Sequence, residues 1–64
     1  MDEFKSITQI LIRANVKAML QKGKTYKEMK QYINAMRKKN RIDEELKNEL
    51  INYCCIVFAK RIKQ

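Results

Sequence analysis

The sequence predicts an all-α fold, a small three-helix bundle that associates as a dimer. The chain contains no proline and one glycine, Gly23, so the residues that interrupt helices are almost missing. Apolar residues recur at helical spacing along three segments, which short polar breaks separate. The 64 residues make one domain, 1–64, with a small core, and such domains often need a second chain for stability.

The first helix is expected over residues 6–22. Ser6 and Gln9 have the spacing of a capping box, in which side chains satisfy free backbone N–H groups. This helix carries two apolar stripes on roughly opposite sides, whereas a helix that only covers a core needs one. One stripe comprises Ile7, Ile10, Leu11, Ala14 and Ala18; the other, which we assign to the dimer interface, comprises Ile12, Val16, Met19 and Leu20.

The second helix is expected over residues 26–39. Gly23 stands where a helix C-cap needs a left-handed residue, and Thr25 with Glu28 repeats the capping-box spacing. One face is apolar and contains Tyr26, Met29, Tyr32, Ile33 and Met36. The opposite face carries Lys27, Lys30, Gln31, Asn34, Arg37 and Lys38.

The third helix is expected over residues 43–62, after a break at Asn40 and Arg41. Asp43 is suited to cap it, and acidic residues in its first turn match the positive end of the helix. Residues 50–59 are apolar nearly all round, which predicts that this is the buried helix. Cys54 and Cys55 are therefore interpreted as thiols that fill the core.

Residues 18–25, AMLQKGKT, fit the loose spacing of a phosphate-binding loop. A working loop of that kind needs a preceding strand and a glycine-rich turn with exposed N–H groups. Here residues 18–22 continue a helix that engages those N–H groups, and this chain offers no parallel sheet. We interpret the stretch as the end of one helix followed by the cap of the next.

The composition argues against catalysis, metal binding and cofactors. The chain has no histidine and two cysteines, whereas a structural zinc site uses four such ligands. Glu44, Glu45 and Glu49 are explained by the preference of a helix N-terminus for negative charge and by a solvated face. We therefore expect a protein that is not an enzyme and that needs neither metal nor cofactor.

No signal peptide is visible at the N-terminus, and the longest uncharged stretch, 50–59, is about half of the ~20 residues that span a bilayer. These features predict a cytoplasmic protein. Attachment to an anionic membrane through a basic amphipathic helix is a less favoured alternative, because the second helix lacks tryptophan.

Charge is the strongest functional signal. The net charge is +8, and residues 13–41 carry ten basic residues against one acidic residue, while residues 42–64 balance. We expect this surface to bind DNA or RNA, with amides that read base edges and backbone N–H groups of the QKGKT turn that contact phosphate. The residues assigned to this site are Lys24, Lys27, Lys30, Gln31, Asn34, Arg37, Lys38, Lys39 and Arg41.

The order of helix, short glycine-containing turn and basic helix is similar to the helix-turn-helix motif. Gly23 aligns with the glycine of the motif, and Met19 and Met29 with its buried positions. Lys22 and Lys24 depart from it, since the motif places apolar residues beside the glycine. The resemblance covers about twenty residues and implies a second helix that contacts nucleic acid.

Other interpretations of the basic surface stay open. It can belong to a small regulator or inhibitor that docks on an acidic surface of a larger protein. It can also be a solvated face that keeps the protein soluble.

Overall fold

The chain, described by a computed structural model, forms α1 (Asp2–Gln21), α2 (Tyr26–Lys38) and α3 (Glu44–Lys63). The structure describes residues 2–63, and the side chains of residues 7–62. Within that range every regular element is helical and no strand is present. The predicted all-α architecture with three helices is therefore confirmed.

The α1–α2 turn has the predicted form. Gly23 adopts the left-handed conformation, with φ of +86°. Its N–H donates to Leu20 O at 3.2 Å, and the N–H of Lys24 donates to Met19 O at 3.1 Å, so the last carbonyls of α1 are satisfied. At the other end α1 begins four residues before the predicted start, and the capping box expected at Ser6 involves a side chain outside the described ones.

The caps of α2 and α3 also follow the prediction. Thr25 Oγ1 accepts from the N–H of Glu28 at 3.2 Å, and the Glu28 carboxylate accepts from the N–H of Thr25 at 3.0 Å. At the second break Asn40 is left-handed, with φ of +60°. Asp43 Oδ1 then accepts from the N–H of Leu46 at 2.8 Å and caps α3.

The three helices lie along one axis in an up-down-up order. The molecule measures 43 × 17 × 15 Å, and helices of 20 residues, about 30 Å long, fit only along its length. α2 returns beside α1, where Asn15 Nδ2 donates to Tyr32 Oη at 3.2 Å. The start of α2 meets the end of α3 through the edge-to-face pair Tyr26–Phe58, with ring centroids 5.8 Å apart.

Arg61 ties the ends of α1 and α3 together. Its Nη2 donates to Leu20 O at 2.9 Å, which satisfies one of the terminal carbonyls of α1. Its guanidinium also lies 5.2 Å from the ring centroid of Phe58.

The core lies between the three helices. It contains Ile12, Val16, Leu20, Met29, Ile33, Ile42, Leu46, Leu50 and Cys54. Ile42, which the sequence analysis did not single out, comes from the α2–α3 turn and is 2% exposed. None of the buried side chains among those described is polar or charged, so the core is stabilised by apolar contacts.

The structure reverses the two apolar stripes of α1. Three of the residues assigned to the dimer interface, Ile12, Val16 and Leu20, are buried within the chain, and the fourth, Met19, is half-buried against the core. The exposed stripe is the other one, with Ile7, Ile10 and Leu11 between 55% and 64% exposed. Both stripes have helical spacing, so only contact with α2 and α3 decides which faces inward.

α3 is not buried all round. Tyr53, Ile56 and Ile62 are 39%, 47% and 85% exposed. Cys54 is buried, but its neighbour Cys55 is exposed, so only the first fills the core. Each helix of a three-helix bundle contributes one face to a single interior, and its outer face stays at the surface.

Candidate nucleic-acid interface

A straight row of polar residues marks the outward side of α2. Lys27, Gln31, Asn34 and Lys38 follow one another at intervals of four, three and four, so they lie along one side of the helix. All four are exposed. The two amides occupy the middle, and the two lysines stand at the ends, about 16 Å apart along the helix axis. We call this set the α2 row.

Lys30 and Lys24 lie beside the α2 row. Lys30 Nζ is 5.9 Å from the ring centroid of Tyr26, which packs on Phe58, so Lys30 marks the edge of α2 that faces α3. Lys24 Nζ is 3.8 Å from Glu28 Oε2, a loose and exposed pair. Such a pair leaves Lys24 free to exchange its partner for a phosphate.

Arg37 turns away from the row and towards α3. Its Nε donates to Glu44 Oε1 at 3.1 Å, and its Nη1 donates to Asn40 Oδ1 at 3.3 Å. Hydrogen bonds from Lys47 and Arg37 lower the pKa of Glu44 below its ordinary value. The prediction grouped Arg37 with the phosphate contacts, but here it joins α2 to α3.

Lys39 and Arg41 lie away from the α2 row and from the edge of α2 that faces α3. Both line a groove of about 250 Å³ between α1 and the end of α2. Its other walls come from Thr8, Leu11, Ile12, Asn15, Tyr32 and Met36. The nine predicted site residues therefore divide among the α2 row, the edge facing α3, the turn before α2 and this groove.

The turn between α1 and α2 does not offer the free N–H groups expected of it. The amides of Lys22, Gly23 and Lys24 donate to carbonyls of α1, at 3.0 to 3.2 Å. Those of Thr25 and Glu28 are engaged by the capping box, which also lowers the pKa of Glu28, chiefly through the backbone N–H of Thr25. The interpretation of AMLQKGKT as a helix end followed by a cap is confirmed in its geometry.

Acidic residues gather at the start of α3. Arg13 of α1 pairs with Glu49, and Lys47 Nζ lies 2.6 Å from Glu44 Oε2. In the part of the chain whose side chains are described, no carboxylate lies within ion-pair distance of Lys27 or Lys38. Among these described side chains, the positive charge of the α2 row is thus left uncompensated, while that of α1 and α3 is partly neutralised.

The two cysteines lie in different surroundings. Burial raises the pKa of the Cys54 thiol, which keeps it protonated. Cys55 Sγ lies 3.1 Å from Tyr26 Oη, and this contact raises the pKa of Tyr26. Among the described residues there is no cluster of three or more metal-ligating side chains. No described helix combines the length and apolar character needed to cross a bilayer.

The likeness to the helix-turn-helix motif holds for the turn and for the burial of Met29. It does not extend to the packing, because α2 runs back beside α1, whereas the helices of the motif cross at about 90–120°. No protein-family profile, curated protein or solved structure matches the chain.

Proposed function

We propose that this chain is a small, non-enzymatic regulator that binds nucleic acid through the α2 row and acts as a homodimer. One observation carries the proposal: two adjacent exposed amides stand between two lysines that have no acidic partner in the described structure. Amides of this kind form paired hydrogen bonds with adenine, and lysines contact phosphate without regard to sequence.

The dimensions of the α2 row suit the major groove of duplex DNA. That groove is about 12 Å wide and admits an α-helix. A helix lying in it would direct Gln31 and Asn34 to the base edges, while Lys27 and Lys38, about 16 Å apart along the axis, would reach the phosphates on either side. The major groove of duplex RNA is too narrow for this, so duplex DNA is the favoured ligand.

Fluorescence anisotropy tests the proposal with labelled single- and double-stranded DNA and RNA. If a dimer neutralises about six or more phosphates, its affinity should fall by about 10³-fold or more between 50 and 200 mM salt. Duplex DNA should bind more tightly than duplex RNA of the same sequence. Binding that does not change over this salt range, or no binding to any of the four ligands, contradicts the proposal.

Charge reversal tests whether binding depends on the α2 row itself or only on the net charge of the protein. Lys27→Glu with Lys38→Glu should abolish binding, because both ends of the row become repulsive to phosphate. Lys22→Glu with Lys60→Glu changes the net charge equally at exposed positions outside α2 and should weaken binding much less. Circular dichroism checks that both variants keep their helicity. Equal losses of affinity in the two double variants would mean that the α2 row is not the interface.

The groove between α1 and α2 favours a second candidate function, a protein-interaction module or inhibitor. Its lining includes the apolar side chains of Leu11 and Met36 and the basic side chains of Lys39 and Arg41. These features suit an acidic segment of a partner protein. A pull-down after nuclease treatment, compared with the Lys39→Glu, Arg41→Glu variant, distinguishes the two functions, since only a protein partner survives the nuclease.

A further inference from the structure

The groove between α1 and α2 changes from polar to apolar along its length. At one end Asn15 Nδ2 of α1 donates to Tyr32 Oη of α2 at 3.2 Å. One helical turn further along, Leu11 and Met36 line the groove from its two sides. Leu11 is 60% exposed and Met36 is half-buried, so the apolar part of the groove is open to solvent.

The far end of the groove is cationic. Thr8, one turn before Leu11, and Lys39, one turn after Met36, line this end together with Arg41. Lys39 and Arg41 are exposed, and within the described side chains no carboxylate lies within ion-pair distance of either. The polar, apolar and cationic parts together occupy about 10 Å along the helices, or about two helical turns.

The apolar wall of the groove continues onto the outer surface of α1. Ile7 lies one turn before Leu11 on the same side of the helix and is 55% exposed. Two exposed aliphatic side chains therefore border a groove that ends in two cations. Apolar surface rimmed by polar groups in this way is typical of an interaction site.

We propose that this groove binds an acidic amphipathic helix of a partner protein. Aliphatic side chains of that helix pack against Leu11 and Met36, and carboxylates about one turn away pair with Lys39 and Arg41. The proposal rests on the second candidate function given above, and it defines the chemistry and the binding mode of the partner.

The shape of the groove selects a helix. Its walls are two neighbouring helices, and the side-chain ridge of another helix packs into grooves of this kind. An extended peptide usually binds by adding a strand to the edge of a sheet, and the described chain contains no strand.

The chemistry of the groove selects a protein over a nucleic acid or a membrane. A phosphate backbone would pair with the two cations but would leave Leu11 and Met36 in contact with water. A flat anionic membrane surface would cover Ile7 and Leu11, but it would not fill the groove in which Met36 lies. A helix with an aliphatic face and an acidic flank satisfies both parts.

The groove and the α2 row lie on different sides of α2. Successive residues of a helix are turned by about 100°, so Tyr32 and Met36 lie about 150° around the axis from the middle of the row. A partner helix in the groove therefore leaves Gln31 and Asn34 uncovered. The chain can then hold a partner protein and nucleic acid at the same time, and this bridging role rests on the proposed interface with nucleic acid.

A displayed peptide library tests the class of partner. Helical peptides of about four turns, randomised on one face, are selected on the natural chain and counter-selected on the Lys39→Glu, Arg41→Glu variant. The enriched peptides should combine aliphatic residues at helical spacing with aspartate or glutamate on the adjoining flank. Enrichment of neutral or basic peptides, or no enrichment over the starting library, overturns the proposal.

A serine substitution tests the apolar part of the groove. Leu11→Ser should weaken binding of the most enriched peptide by about tenfold or more, as measured by fluorescence anisotropy. Ile62→Ser makes the same kind of change at a residue of α3 that is 85% exposed, and it should bind like the natural chain. Circular dichroism should show unchanged helicity for both variants, because neither side chain is buried. Unchanged affinity in Leu11→Ser contradicts the proposal.

Charge reversal tests the cationic part with the same peptide. Lys39→Glu with Arg41→Glu should weaken binding by about tenfold or more. Lys22→Glu with Lys60→Glu changes the net charge equally at exposed positions that do not line the groove, and it should weaken binding much less. Equal losses of affinity would mean that the peptide responds only to net charge, which overturns the proposal.

Vesicles of phosphatidylcholine and phosphatidylserine test the membrane as the alternative occupant. The natural chain and Leu11→Ser should sediment with these vesicles to the same extent, because Leu11 is assigned to a protein partner. Sedimentation of the natural chain that Leu11→Ser abolishes would assign the surface to a membrane and overturn the proposal.

Size-exclusion chromatography of the chain with the enriched peptide and duplex DNA tests simultaneous binding. All three should elute together. If the peptide binds and DNA does not, the groove is confirmed and the proposed interface with nucleic acid is wrong; DNA binding without peptide binding gives the reverse result. Binding of each ligand alone, without a joint complex, contradicts the bridging role.

Discussion

Arg37 donates from Nε to Glu44 Oε1 at 3.1 Å, and this contact joins the last turn of α2 to the first turn of α3. Lys38, the next residue, is exposed in the α2 row and has no ion pair among the described residues. Two adjacent cations of one helix thus do different things. One connects helices within the protein, and the other is exposed to solvent.

This difference predicts unequal effects of the same substitution. Lys38→Gln should weaken nucleic-acid binding and reduce its salt dependence, because a phosphate contact is lost. Arg37→Gln should change binding little and lower the free energy of unfolding by about 0–1 kcal/mol, as expected for an exposed ion pair. Anisotropy titrations and urea unfolding measure the two quantities. Equal losses of affinity in the two variants would indicate that Arg37 also contacts the nucleic acid.

The capping box of α2 predicts a defined loss of stability. Thr25→Ala removes the hydroxyl that accepts from the N–H of Glu28 and should lower the free energy of unfolding by about 1 kcal/mol. Thr25→Ser keeps the hydroxyl and is the matched control, so it should stay close to the natural chain. The midpoint of urea unfolding measures both. A loss in the serine variant as large as that in the alanine variant would show that the methyl group, not the cap, matters.

The carboxylates of Glu28 and Glu44 predict the acid sensitivity of the fold. Their pKa values in the folded chain are lowered from 4.5, by hydrogen bonds to Thr25 and to Lys47 respectively. A lowered folded pKa contributes stability at pH values above 4.5, and that contribution disappears as pH falls through the folded pKa. Stability should therefore decline below about pH 5.

Substitution isolates that contribution. Glu28→Gln should be less stable than the natural chain at pH 7, and the difference should shrink at pH 3, where the natural carboxylate is becoming protonated. Glu45→Gln, at an exposed residue with no ion pair within the described structure, should change this pH dependence less. Urea midpoints at the two pH values give the comparison. A difference that grows on acidification would contradict the lowered pKa.

Features set by neighbouring residues could be predicted from the sequence. Gly23 ends α1, Thr25 and Glu28 cap α2, and Asp43 caps α3, because each requires only residue types at fixed short spacings. The exposed α2 row follows from the same helical spacing. Ile42 also had a local signal: it immediately precedes an N-cap, a position where an apolar residue often anchors the incoming chain.

Features set by tertiary contact could not be predicted. Both stripes of α1 satisfy helical spacing, and only the positions of α2 and α3 bury Val16 and leave Leu11 exposed. The directions of the basic side chains also depend on tertiary contacts. Arg37 is drawn to Glu44, and Lys39 and Arg41 reach the groove with α1 where the chain leaves α2 at the left-handed Asn40. The net charge of the chain does not indicate where any of these basic side chains points.

The adjacent cysteines predict selective alkylation. Cys54 is 1% exposed and its pKa is raised by burial, whereas Cys55 is at the surface beside Tyr26 Oη. Iodoacetamide at pH 8 should therefore add one carbamidomethyl group to the folded chain, at Cys55, and a second only when urea exposes Cys54. Mass spectrometry of the intact chain counts the groups. Cys55→Ser should abolish labelling of the folded chain, and Cys54→Ser should not. Labelling of Cys54 at the rate of Cys55 under native conditions would mean that the end of α3 opens faster than the reagent reacts, contrary to the anchoring of that end by Arg61 and Phe58.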